Sequence, residues 1–168
     1  MEILFENHHT RDKKLANELY SYYFFKRPSY IVCDILLGVL FVVNIALIIM
    51  HKECSYWMLI LPPILYFSHF FMYQQTSSSF IKQDKAQYGD DPVTIKSEIY
   101  DSELKNTASC GTVSTLQLTD IKKAVKTKNL ILLYTKTNLI YPLSKNGFSK
   151  GSEKEFIDFL KSKNISVR

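Results

Sequence analysis

The 168-residue sequence is poor in the residues that announce a reaction. Its five glycines form neither a phosphate-cradling G-x-x-x-x-G-K-[ST] loop nor a dinucleotide-binding G-x-G-x-x-G turn. No G-x-S-x-G elbow and no H-E-x-x-H pair occurs. The four histidines, His8, His9, His51 and His69, lie in or before the apolar part of the chain, which leaves the polar C-terminal half without an imidazole for acid–base work. His8 and His9 are adjacent, so a strand would point them to opposite faces, and no third ligand is near; turn residues are expected there. Cysteine is scarce as well. Cys33, Cys54 and Cys110 make no C-x-x-C pair and no disulfide framework, and His51 with Cys54 gives too few ligands for zinc. Cys33, inside an apolar stretch, is expected as a small apolar residue. No catalytic, cofactor-binding or metal residue is named on these grounds, no small-molecule substrate is identified, and the chain is expected not to be an enzyme.

What the sequence has is two apolar stretches, Tyr30 to Met50 and Ser55 to Tyr73, separated by His51-Lys52-Glu53-Cys54. A hydrocarbon core about 30 Å thick takes roughly 20 helical residues, so the pair is expected as a transmembrane helical hairpin, 30–50 and 55–73. Met1 to Arg27 is no secretory signal, because the apolar run begins too late and no small-x-small site follows it. Asp34, about one turn inside the first span, is expected to reach the interface or meet Lys26 or Arg27, and Asn44 to bond across to another helix. Tyr56-Trp57 and the run Tyr66 to Tyr73 place aromatics at both ends of the second span, while Pro62-Pro63 bends it. His69 is expected as an interfacial side chain, since only Asp34 is available to join it in a proton relay. Arg11, Lys13, Lys14, Lys26 and Arg27 before the hairpin, Lys82 and Lys85 after it, and only Lys52 within the turn put both termini in the cytoplasm of a multi-pass cell-membrane protein.

The flanking segments carry the polar residues. Glu2 to Glu6 alternates as a short strand, expected at an edge of the C-terminal sheet. Thr10 is then expected to cap a helix bearing Leu15, Leu19, Tyr22 and Tyr23, lying along the membrane surface. Together these make a first segment, 1–29; a polar connector, 74–92, prolongs the second span; and the remaining residues, 93–168, form a β domain. Within it, strands are expected at Val93 to Tyr100, Glu103 to Asn106, Gly111 to Leu116, Ile121 to Thr127, Leu130 to Thr135 and Asn138 to Leu143, where Pro142 belongs at a strand end or a sheet edge. Ser152 caps a final helix with Phe156, Ile157, Phe159 and Leu160 along one face. The fold class is therefore α+β, a two-helix hairpin plus a small antiparallel barrel plugged by its C-terminal helix.

The net charge of +5 falls in the C-terminal part, where Lys122, Lys123, Lys126, Lys128 and Lys136 gather on one hairpin. They are the candidate contacts to an anionic surface, with the lipid bilayer or a protein as partner. Nucleic acid is not expected, because the cluster holds no Arg and no reader motif is present.

Thr119-Asp120-Ile121-Lys122-Lys123-Ala124-Val125 before the Leu130 to Tyr134 hairpin strand, then Ile140-Tyr141-Pro142-Leu143 with Phe148, then Ser152 to Leu160, resemble the YcxB-like family of bacterial membrane proteins. The resemblance implies a PH-like C-terminal domain on a membrane anchor and supplies no reaction or site. The function expected is that of a membrane-anchored, non-enzymatic interaction module whose cytoplasmic PH-like domain binds a protein partner or the anionic membrane surface. The alternative is an accessory or transport subunit that forms a homo-oligomer through its hairpin.

Overall fold

The computed structural model describes residues 2–26, 28–50, 57–89 and 92–168. Met1, Arg27, residues 51–56 with the expected turn residues His51 and Cys54, and Asp90-Asp91 lie outside the described residues. Two compact units divide the chain: Met1–Leu19 with Phe80–Arg168, and Tyr20–Ser79.

The first unit is built on two sheets. One runs β4-β3-β2-β1-β8, from β1 (Phe5–Thr10), β2 (Thr94–Ile99), β3 (Glu103–Ala108), β4 (Val113–Gln117) and β8 (Phe148–Lys150), with every neighbour antiparallel. The other runs β7-β6-β5-β9, from β5 (Ile121–Lys126), β6 (Leu130–Thr135), β7 (Ile140–Ser144) and β9 (Ser166–Val167), antiparallel except where β9 joins β5. Phe5, Ile99, Leu104, Leu116, Ile131, Leu133 and Leu143 meet in one core, closed by Phe156 and Leu160 of α4 (Glu153–Ser162), both 0% exposed. α4 starts where expected. The Ser152 hydroxyl accepts from the Glu155 backbone N–H at 3.3 Å and donates to the Glu155 carboxylate at 2.8 Å, a reciprocal cap. Pro142 sits in an edge strand, where a missing N–H breaks no ladder.

β1 departs from expectation in two ways. It spans Phe5–Thr10 and not Glu2 to Glu6, so His8 and His9 are strand residues and not turn residues. It also lies inside the sheet, between β2 and the three-residue β8, and not at the edge. The reason is tertiary. Phe5, Asn7 and His9 share the inward face, and the Asn7 side chain ties β1 to β7 of the other sheet by donating to the Ser144 carbonyl at 2.6 Å and accepting its N–H at 3.1 Å. Gly147 permits the close approach on the other side, because a Cβ there would stand 2.0 Å from the His8 carbonyl oxygen.

α1 (Lys13–Phe25) is capped by Asp12, whose carboxylate accepts from the Leu15 N–H at 2.8 Å, and not by Thr10. Within the first unit its Leu15, Ala16 and Leu19 are buried in protein, a correction to the membrane-surface helix expected for them. Glu18 explains the docking: it accepts from the Asn129 backbone N–H at 2.7 Å, from the Asn129 side chain at 2.8 Å and from the Thr127 hydroxyl, satisfying the β5–β6 turn. Burial alone would raise the Glu18 carboxyl, but these hydrogen bonds hold it below the usual carboxylate range.

The second unit contains α2 (Pro28–Ile49) and most of α3 (Trp57–Tyr88), which runs on through the polar connector as helix. Among the described residues one helical stretch, Tyr30–Ile49, is long and apolar enough to cross a membrane. In α3 the apolar run is diluted by Pro62, Pro63, Ser68 and His69. Asn44 is 3% exposed, but its amide donates at 2.7 Å to the Leu40 carbonyl one turn back, so its recorded hydrogen bond stays within its own helix and does not cross to another.

Candidate functional site

The strand register sorts the inner face of the five-stranded sheet into rows. Phe5, Ile99, Leu104 and Leu116 form an apolar row that belongs to the core. The next row is Asn7, Ser97, Asn106 and Ser114, and the one beyond it aligns His9, Ile95 and Ala108. The apolar face therefore gives way to a polar one within two residues along each strand.

A cavity of about 250 Å³ opens at that polar end. His9, Ile95, Asn106 and Ala108 supply its sheet wall, Leu15 and Leu19 of α1 and Phe80 and Tyr88 of α3 another, and Ile140 and Pro142 of β7 a third. All of these residues belong to the first unit. Its polar groups are short of partners. His9 is 7% exposed and neither ring nitrogen has a hydrogen-bond partner; the Asn106 side-chain oxygen and, on the same face, the Ser97 hydroxyl are buried and unpartnered as well. Burial pushes the His9 imidazole down to about 4, with the charges of Arg11 and His8 adding to the effect, so the ring is neutral near pH 7. Arg11 is the one charged residue of the lining among the described residues. Its guanidinium carbon lies 4.4 Å from the centre of the Phe80 ring and its Nε 3.0 Å from Asp84 Oδ2, which matches its charge. The cavity thus presents a neutral donor–acceptor pair in apolar surroundings, an arrangement suited to binding.

The five lysines are placed differently. Lys122, Lys126, Lys128 and Lys136 are exposed, and Lys123 lies with its ammonium 5.0 Å from the centre of the Tyr134 ring. Lys123 and Lys126, three apart on β5, point to opposite faces, with a bulge between Ile121 and Lys123. Lys128 and Lys136 flank opposite ends of β6, a six-residue strand that spans roughly 20 Å. The set is a distributed cationic rim and does not share one face. Lys96, Lys145, Lys150, Lys161 and Lys163, by contrast, are engaged in ion pairs.

In the second unit Asp34 stands with one carboxylate oxygen 3.9 Å from His69 Nδ1, while Arg27, one of the two cations expected beside it, lies outside the described residues. The Tyr30 ring stacks edge-on against His69 at 5.2 Å. Among the described residues no three His, Cys, Asp or Glu side chains converge as a metal-binding group.

Residues 99–160 match the family model described as YcxB-like protein. The YcxB-like stretch begins at the last residue of β2 and ends within α4, and it carries Asn106 and Ser114 together with all five lysines. β1 and α1, hence His9, Leu15 and Glu18, lie outside it. No curated protein and no solved structure matches the chain. Sequence reasoning passed over His9 because a polar residue at the end of an alternating run reads as a turn. The signal available was the spacing Phe5-x-Asn7-x-His9.

Proposed function

We propose that the chain is a membrane-anchored, non-enzymatic interaction module. A two-helix hairpin, 30–50 and 55–73, holds a PH-like domain on the cytoplasmic side of the cell membrane, where its lysine rim engages an acidic protein partner. The observation that carries the reading is chain order: β1 precedes α2, while its sheet neighbours β2 and β8 follow α3. Strands that share hydrogen bonds lie on one side of a bilayer, so a crossing by α2 demands a return crossing before Thr94. The apolar side chains that α2 leaves exposed, Val42 and Ile49 among them, form a surface that water tolerates poorly and lipid accepts. A rim spread over two faces suits a partner that wraps a hairpin better than a planar headgroup layer.

Reporter fusions at the N-terminus and at Arg168 test the topology: both are expected to be active on the cytoplasmic side, and opposite sides would end the reading. Charge reversal of Lys122, Lys126, Lys128 and Lys136 to Glu tests the rim. Loss of a crosslinked protein from native membranes, with anchoring intact, is the expected result, whereas loss of anionic-vesicle binding alone would assign the rim to lipid.

A second reading, an accessory or transport subunit, is favoured by the Asp34–His69 approach beside a cavity of about 270 Å³ lined by Asp34, Pro62, Pro63 and Tyr66. Exchanging the hairpin for an unrelated anchor separates the two, because only the module keeps its phenotype.

A further inference from the structure

We propose that the cavity beside His9 is a binding site for a small uncharged molecule with an apolar body and an amide- or hydroxyl-type head. This goes beyond the interaction-module reading and stands without it. Size, lining and polarity each contribute. At about 250 Å³ the cavity lies between the roughly 150 Å³ that holds a benzene ring and the roughly 300 Å³ at which drug-sized pockets begin, so a single ring or short branched chain fits.

The walls made by Leu15, Leu19, Phe80, Ile95, Ile140 and Pro142 favour an apolar body. The head is specified by what the protein leaves unpaired. Asn106 offers an oxygen that needs a donor; the neutral His9 ring has one nitrogen that donates and one that accepts, and neither is used. A head with both an N–H or O–H and an oxygen supplies the kind of partner that Asn106 lacks and that His9 lacks, and buried polar groups without partners are the costly state that such a ligand relieves. Charge is excluded on both sides. A cation meets Arg11, and an anion competes with Asp84, which already holds Arg11 at 3.0 Å.

The test is an NMR titration of the full chain in lipid nanodiscs with labelled histidine, following the His9 ring signals assigned by their loss in His9→Gln. Benzamide and phenol are the probes, benzene and benzoate the comparators. Benzamide or phenol is expected to shift the His9 signals saturably with a dissociation constant of about 1 mM or tighter, and benzene and benzoate to bind at least about tenfold more weakly. Ala108→Phe, which fills the cavity, is expected to abolish the shift, and Asn106→Leu to bring benzamide to the level of benzene. Absence of a saturable shift with both probes overturns the proposal, as does equal binding of benzene and benzamide to the unaltered chain, a comparison that needs no variant. An unchanged benzamide titration in folded Ala108→Phe also overturns it, because the probe then binds elsewhere.

Discussion

The two ends of the five-stranded sheet's inner face differ in what they are given to touch. At one end Phe5 meets Phe156 at 5.5 Å and Phe159 at 5.4 Å, and α4 closes over the row. At the other, the same strands carry Asn7, Ser97, Asn106 and His9, and a cavity opens beside His9 and Asn106. One end holds the fold together. The other accepts unpaired polar groups, and a protein that needed only stability would have closed it with apolar side chains.

That contrast is open to measurement. At the filled end, Phe156→Ala should cost about 3–5 kcal/mol in urea unfolding of the full chain in micelles. A loss under about 1 kcal/mol would show that α4 is not the closure of the core. At the open end the largest effect should come from pH. The unfolded chain protonates His9 at its ordinary 6.5, whereas the folded chain holds it down to about 4, first through burial and then through Arg11 and His8. Stability is therefore whole above pH 6.5, falls as the pH drops from 6.5 toward 4, and has lost about 3 kcal/mol by the end of that interval. Glu6, held down to about 2 by hydrogen bonds from His8 and Ser149 and by Lys96, adds its own loss only below about pH 4.5. Unfolding curves at pH 7 and pH 5 thus report on His9, and His9→Gln should flatten the difference between them.

Smaller effects sharpen the boundary between the two ends. Glu18→Ala removes three hydrogen bonds that dock the cavity's α1 wall and should cost about 1–3 kcal/mol, with hydrogen exchange quickening at Leu15 to Leu19 before it quickens in β6. Asn106→Leu, which exchanges an unpartnered oxygen for apolar surface, should shift stability by no more than about 0.5 kcal/mol in either direction. A loss of 2 kcal/mol there would mean that the polar row serves the fold after all.

How far these features can be read from the residues varies with their range. β6, with its continuous apolar run, appears at its full extent, Leu130–Thr135, and Ser152 is seen to cap α4 because the signal for each lies within a few residues. β8 and β9, at three and two residues, are too short for any alternation to show. β1 is long enough, but Asn7 and His9 are polar where a core strand is apolar, and what satisfies Asn7 as an inward residue is Ser144, 137 positions away. The cavity needs still more: it exists only once α1, α3, β7 and the sheet are assembled, and the Glu18 contact that positions α1 spans 109 to 111 residues.

The position of β1 between β2 and β8 also has a consequence in time. A ribosome finishes Thr10 roughly 80 residues before it reaches β2, a wait of about 4–16 s at ordinary rates of synthesis, and β8 comes later still. Throughout that interval the strand has two bare edges and no partner, the condition in which apolar strands aggregate. Its sequence, Phe-Glu-Asn-His-His-Thr, holds a single large apolar residue. Its polar side chains, His9 of the cavity wall among them, are, during synthesis, what keeps the first strand soluble until the last ones arrive.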